Sequence, residues 1–290
     1  QAYMDTDFND GFFKAKLDLI EYKVGGEIPS PSPLIDYIYI GIANTNHFYR
    51  YDPVNNRCDN ITFIMPSGLV WVEGSAAVYL PSLKSIFFEN TTHIFVFNVS
   101  TFSTPQLIGQ LPVTASSGAS LSYLTNTSIL YIPGDERTDA WILNINTDNL
   151  TESSWQAIAS IPENVTRYSC AVGDGNGSVY LVIGETSDGF YRYDLSQNRW
   201  IQLAAAPATL VTGLAYCSSN NRIYMTDSGG GIYEYVIEEN KWYPLSPKIP
   251  VSTQYPGNRL LCDNRNLYYI RMDYTGEIIY IPLIQLTRNI

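Results

Sequence analysis

Short apolar or alternating stretches, each three to six residues long, recur along the whole chain and are separated by turn-forming residues; no stretch carries the 3.6-residue spacing of a helix. The pentapeptide Phe-Tyr-Arg-Tyr-Asp occurs at 48–52 and again at 190–194, 142 residues apart, which is three periods of about 47. Related apolar segments fall at 94–99, 141–145, 232–237 and 278–281. With Tyr51, Phe97, Leu143, Tyr193, Tyr235 and Ile281 as markers, the steps are 46, 46, 50, 42 and 46 residues. A second set of apolar stretches precedes the first, at 38–42, 86–88, 129–132, 179–183, 223–225 and 267–270. Each unit closes on an apolar residue and a proline, at Pro29, Pro66, Pro112, Pro162, Pro207 and Pro250. Proline cannot donate to a strand ladder, so it suits the point where an outer strand leaves its sheet.

Units of about 46 residues with three or four short strands cannot bury a face alone and must stack in a ring. The expected fold is all-β, a six-bladed β-propeller formed by residues 1–290 as one domain. The stretch Tyr193-Asp194-Leu195-Ser196-Gln197-Asn198-Arg199-Trp200 with Pro207, and Tyr235 with Asn240-Lys241-Trp242 and Pro250, resembles the kelch repeat, most clearly over residues 165–250. That resemblance implies a Tyr-Asp strand, a turn and an Asn-x-Trp strand in each blade. The chain also departs from it: Gly134 and Gly184 stand alone, Gly229-Gly230-Gly231 comes late, Glu89-Asn90 replaces a glycine pair, and Cys58 stands where later units have Trp200 and Trp242.

Ring closure is expected to use strands from both termini. Asp10-Gly11-Phe12-Phe13-Lys14 with Pro29 matches Asp188-Gly189-Phe190-Tyr191-Arg192 with Pro207, so residues 10–29 read as an outer hairpin whose inner strands come from 259–262 and 267–270. Residues 277–283 compete for the same third-strand slot. Either they take it and 10–16 lie elsewhere, which is the plainer arrangement, or 277–290 form a free arm able to add an edge strand to another molecule.

Composition narrows the setting. The 23 Tyr, 20 Gly and 16 Pro suit many short strands and turns. With 17 basic against 28 acidic residues and no Lys/Arg cluster, a groove for nucleic acid is not expected. No apolar run approaches the roughly 18 residues of a membrane span. A start at Gln1 without Met is what a processed secreted chain would show. Seven Asn-x-Ser/Thr acceptors (Asn60, Asn90, Asn98, Asn126, Asn149, Asn164 and Asn176) point to N-glycosylation and an extracellular location. The four cysteines (Cys58, Cys170, Cys217 and Cys262) lack metal-ligand spacing and read either as buried thiols or as including one disulfide.

Candidate chemistry is sparse. His47 and His93 are the two histidines, read as solvent-facing turn residues rather than copper ligands, and no Gly-x-Ser-x-Gly elbow or phosphate-binding loop occurs. The acidic segment 5–11 lacks the spacing of a calcium loop. Asp135-Glu136-Arg137 and Glu185-Thr186-Ser187-Asp188 occupy matching loops on one face, where ligands often bind propellers. Trp200 and Trp242 are expected in the core, and Trp71, which breaks the pattern, at the surface. Because every acceptor lies between Asn60 and Asn176, the sector formed by 179–290 and the N-terminal hairpin is the expected contact surface. These residues point to a secreted, glycosylated, non-catalytic adhesion or assembly subunit without a catalytic residue, metal or cofactor, whose partner is a second copy or another extracellular protein or glycan. The alternative is a secreted carbohydrate-binding or carbohydrate-active protein that uses a loop face or the centre of the ring.

Overall fold

The computed structural model describes residues 19–21, 37–41, 48–53, 55, 57–60, 75–101, 104–134, 136–249, 260–270 and 278–289. Their strands form six small sheets in a ring, a six-bladed β-propeller. The first described strand, β1 (Leu19–Glu21), belongs to the last blade. Blade I holds β2 (Ile38–Gly41), β3 (Phe48–Asp52) and β4 (Arg57–Asn60); blade II holds β5 (Ala77–Leu80), β6 (Ser85–Asn90), β7 (His93–Asn98) and β8 (Gln106–Gln110). Blade III consists of β9 (Ser120–Thr125), β10 (Ser128–Ile132), β11 (Trp141–Asn144) and β12 (Ser154–Ala157). Blade IV consists of β13 (Cys170–Gly173), β14 (Ser178–Val182), β15 (Phe190–Asp194) and β16 (Arg199–Gln202). Blade V is built from β17 (Val211–Cys217), β18 (Arg222–Asp227), β19 (Ile232–Val236) and β20 (Lys241–Ser246), and blade VI from β21 (Leu260–Cys262), β22 (Asn266–Ile270) and β23 (Ile278–Pro282).

The sequence markers meet in register in every blade. Tyr51, Phe97, Leu143, Tyr193, Tyr235 and Ile281 sit opposite Ile38, Ile86, Ile129, Val179, Ile223 and Leu267 respectively. All twelve are buried. The apolar side chains form one cluster at each of the six seams between neighbouring blades, including a closing cluster in which Ile38, Ile40 and Tyr51 of blade I meet Tyr268, Ile270 and Tyr280 of blade VI. A second strand therefore faces a seam on both sides, which is why β10 is buried along its entire length.

Three seams share one device on their outer rims. Trp155, Trp200 and Trp242 lie on fourth strands, and each indole N–H donates to a main-chain carbonyl of the preceding blade: Gln110 O at 2.9 Å, Ala159 O at 2.9 Å and Ala204 O at 3.2 Å. In blades IV and V the turn asparagine completes the clamp. Asn198 and Asn240 adopt left-handed backbone (φ 46° and 51°), a conformation asparagine tolerates better than most residues. Their Oδ1 atoms accept the N–H groups of Ala159 and Ala204 at 3.0 and 2.8 Å, and also the hydroxyls of Tyr193 and Tyr235 at 3.0 and 2.7 Å. The Tyr…Asn-x-Trp pattern is thus a means of satisfying both polar groups of one residue in the neighbouring blade. Cys58 holds the tryptophan's register position in blade I, opposite Tyr51.

The closing blade combines strands from both ends of the chain. β23 fills the third-strand slot, antiparallel to β22, and β1 lies outside it in parallel, with Leu19 opposite Ile278 and Glu21 opposite Tyr280. An outer hairpin would have run antiparallel; residues 10–18 and 22–29 lie outside the described residues. The free-arm arrangement is also replaced. After β23 a short 3-10 turn (Leu283–Gln285) leads into β24 (Thr287–Arg288), which pairs with the outer edge of β20 through Leu245 and Ser246. Arg288 bonds Glu234 at 2.9 Å and lies 3.9 Å over the Tyr243 ring. The segment that follows β23 therefore pairs within the chain's own blade V. At the centre of the ring, a disulfide joins Cys217 to Cys262 (Cα–Cα 5.5 Å), linking the innermost strands of blades V and VI.

One buried charge site gives a measurable pH dependence. Glu89, in β6, is fully buried; its Oε1 accepts the N–H of Ala76 at 2.7 Å, and Oε2 has no hydrogen-bond partner among the described residues. Burial pushes this carboxyl well above its ordinary value of 4.5. The folded chain keeps a proton that the unfolded chain releases, so the associated stability is full below about pH 4.5 and is lost as pH rises toward the folded value. Carboxylates such as Asp59, which Arg50 holds below the usual range, act in the opposite sense. The comparison is therefore between variants: calorimetric melting curves of wild type and Glu89→Gln should diverge above pH 4.5, the wild type losing stability faster. Parallel curves would show that Glu89 ionises in both states alike.

Candidate functional site: the mouth of the central channel

In blades II to V the turns between first and second strands, and between third and fourth, emerge on one face of the ring. On that face the inner strands enclose a cavity of about 600 Å³. Its wall is aromatic: Tyr37 and Tyr39 from blade I, Tyr79 from β5, Tyr123 from β9 and Tyr216 from β17. Strand alternation explains this placement, because every second residue of an innermost strand points into the channel. Blade IV contributes Val172 and Gly173, and blade VI contributes Leu261 and the disulfide-bonded Cys262. Glycine is required at 173, because a Cβ there would stand 1.7 Å from the Tyr123 carbonyl oxygen; β9 and β13 approach too closely for any side chain. Gly175 plays a related part, since the Tyr123 ring lies where its Cβ would be.

The polar groups of the mouth are few and placed. Lys84 stands exposed on the rim in left-handed backbone (φ 48°). The Tyr123 hydroxyl donates to Asn126 Oδ1 at 2.6 Å, and that of Tyr216 to Asn221 Oδ1 at 3.1 Å. Burial, followed by the charges of Asp174 and Glu238, raises the Tyr216 pKa, so its hydroxyl remains a proton donor through neutral pH. Deeper in, Ser122 is 3% exposed and its Oγ has no hydrogen-bond partner among the described residues. A buried hydroxyl without a partner is costly unless something entering the cavity satisfies it. No carboxylate or imidazole is among the lining residues. The mouth offers aromatic faces and hydroxyls, groups that can stack against a ligand and hydrogen-bond to it.

A second cavity of about 490 Å³ lies on the opposite face, at the seam of blades III and IV. The loop residues singled out in the sequence do converge here: Glu136 and Glu185 both take left-handed backbone (φ 54° and 60°). They are joined by Glu163, whose carboxylate accepts from the hydroxyls of Ser187 (2.5 Å) and Tyr191. Its hydrogen bonds make Glu163 a brace between loops. Among the described residues no set of three or more His, Cys, Asp or Glu side chains is placed to hold a metal. His93 bonds its neighbour Thr92 on that side of blade II, while His47, Trp71 and segment 5–11 lie outside the described residues.

The glycosylation acceptors sort by face and by burial. Asn98, Asn126, Asn149 and Asn176 occupy turns on the mouth face, and Asn90 and Asn164 occupy the other. Asn126, Asn149, Asn164 and Asn176 are exposed, Asn98 is half-buried, and Asn90 is 7% exposed. Asn149 also caps a 3-10 turn. The Asn60 side chain lies outside the described residues. Of the cysteines, Cys217 and Cys262 are paired, Cys170 is buried outside the disulfide and Cys58 is partly buried. Trp200 and Trp242 pack in seams, against Tyr193 and against Tyr235 and Phe190. Sequence reasoning missed the tyrosine mouth. Its signal was present in Val78-Tyr79-Leu80, Ser122-Tyr123-Leu124 and Ala215-Tyr216-Cys217, one tyrosine flanked by core residues on three first strands.

Comparison with known proteins supports the architecture alone. No protein-family model and no curated protein matches the chain. Its fold is similar to that of solved structures, among them a structural genomics protein of unknown function from Bacteroides thetaiotaomicron VPI-5482, with a TM-score of 0.53 and 11% identity. The match covers 81% of this chain, which spans 66% of the length of that protein.

Proposed function

We propose that the protein is a secreted, N-glycosylated, non-catalytic β-propeller that binds a neutral carbohydrate at its tyrosine-lined channel mouth. The observation that carries this reading is the cavity itself. Tyrosine rings from four blades present apolar faces that suit the C–H faces of sugars, while Ser122 Oγ and the tyrosine hydroxyls supply hydrogen bonds. Its volume falls within the usual range for small-ligand pockets, roughly 300–1,000 Å³. Lys84 is the one charged side chain lining the mouth among the described residues, so no carboxylate faces it that would exclude an acidic sugar, but nothing pairs bidentately with one either. A neutral ligand fits best.

Secretion is supported by the disulfide and by four exposed acceptors, both of which suit an oxidising, glycosylating route. The indole and asparagine clamps favour a kelch-like repeat in blades IV and V. Assembly through a donated C-terminal arm is not favoured, because β24 is already paired within the chain.

The test is a screen of neutral oligosaccharides against the enzymatically deglycosylated chain, followed by titration of the best binder. Tyr79→Ala and Tyr216→Ala should each weaken binding about fivefold, as loss of a stacked ring worth about 1 kcal/mol would. Absence of binding to any neutral glycan, or affinities unchanged in both variants, would overturn the proposal.

A further inference from the structure

The acceptor Asn126 stands on the rim of the mouth. It lies in the β9–β10 turn, directly after the strand that carries Ser122 and Tyr123 into the cavity. Two contacts fix it there. The Tyr123 hydroxyl donates to its Oδ1 at 2.6 Å, and the hydroxyl of Ser82, from the neighbouring blade, donates to its main-chain oxygen at 2.7 Å. With Oδ1 engaged on the Tyr123 side, the amide nitrogen has no hydrogen-bond partner among the described residues, and the residue is exposed. That nitrogen is the atom to which an N-linked sugar is attached. The other mouth-face acceptors differ: Asn98 Nδ2 is half-buried on Leu83 O, and Asn149 Nδ2 bonds Glu152, while Asn176 stands free in the adjacent blade without a bond to a mouth tyrosine.

We infer that the N-glycan on Asn126 folds over the tyrosine mouth and controls access to it. The inference rests on the mouth being a carbohydrate-binding surface. The physical argument is one of effective concentration. A sugar tethered to a residue already bonded to a mouth tyrosine meets the aromatic wall as an intramolecular ligand, so even a weak affinity for sugar faces holds it in place. The same wall that receives a free glycan therefore receives the chain's own glycan first. External ligands bind in competition with it, and their apparent affinity depends on occupancy of Asn126 and on how far its glycan has been trimmed.

The experiment uses the full chain from a glycosylating secretory host. Peptide mass mapping establishes occupancy at Asn126, and nitration of Tyr79 and Tyr216 by tetranitromethane is followed by peptide mass, before and after endoglycosidase treatment. Nitration should be severalfold faster once the glycan is removed. Asn126→Gln and Ser128→Ala, which abolish the acceptor in two different ways, should both react at the deglycosylated rate, and Asn176→Gln at the wild-type rate. An unoccupied Asn126, or equal nitration rates with and without the glycan, would overturn the inference. Nitration reads exposure without any added ligand. Failure of neutral glycans to bind the deglycosylated chain would thus sink the binding proposal while leaving this measurement decisive for the glycan's position.

Discussion

A chain with Cys217→Ala and Cys262→Ala should melt about 8 °C below wild type, and its ring should open at the seam of blades V and VI. The disulfide closes a loop between residues 45 apart, and removing such a link restores to the unfolded chain an entropy worth about 4 kcal/mol in the loop-closure account. For a chain of this size each kcal/mol shifts the melting temperature by roughly 2 °C. Alanine is the informative replacement because Cys217 is fully buried, and serine would add the cost of an unpaired hydroxyl. Hydrogen exchange should locate the loss in β21 and β22, which have lost their covalent tie, before it appears in blades II to IV. Reduction of the wild-type protein should reproduce the shift. Cys58 should contribute nothing to it, since burial pushes that thiol up to about 12 and leaves little thiolate for exchange. Equal melting temperatures for wild type and the double variant would mean that the apolar cluster at this seam holds the ring closed unaided.

Trp200→Ala should be comparably damaging, at about 3–5 kcal/mol, because it removes a large aromatic side chain from the blade III–IV seam. Trp200→Phe separates the two contributions. It keeps a ring against Tyr193 (5.3 Å between centroids in the wild type) and gives up the indole bond to Ala159 O, so its cost should be about 1 kcal/mol. Urea titrations with an unchanged dependence on denaturant would report both as changes in stability alone. A cost for Trp200→Ala as small as that for Trp200→Phe would show that Trp200 acts only through its hydrogen bond.

The blade count was legible because each marker is a buried residue that must meet a buried residue of a second strand, a pairing that leaves the periodicity little freedom to drift. Tyr193 and Val179 must meet, and so must Tyr51 and Ile38. Closure was less legible. The match between residues 10–14 and 188–192 reports which side chains suit a third strand, but a local pattern carries no information on whether a strand will run parallel or antiparallel to its neighbour. Residues 278–282, buried throughout, occupy the third-strand slot, and Leu19–Glu21 takes the outer edge in parallel. The disulfide was half legible. The four cysteines, Cys58, Cys170, Cys217 and Cys262, left open whether a disulfide forms and between which of them. Strand register decides between them: Cys217 and Cys262 both end their inner strands, whereas Cys170 begins β13 opposite Val182. The mouth was hidden because the inner strands, β5, β9 and β17, share a single tyrosine and little else.

The short β24 has a mechanical meaning. A load applied beyond β24 meets first the two strand pairs with β20, the Asn289 bonds to Pro244 O and to the Ser246 hydroxyl, the Arg288–Glu234 ion pair and the Arg288–Tyr243 contact on blade V. These few contacts would peel apart in sequence, releasing slack, before tension arrived at β23 and the ring behind it. The tail would thus yield before the ring does.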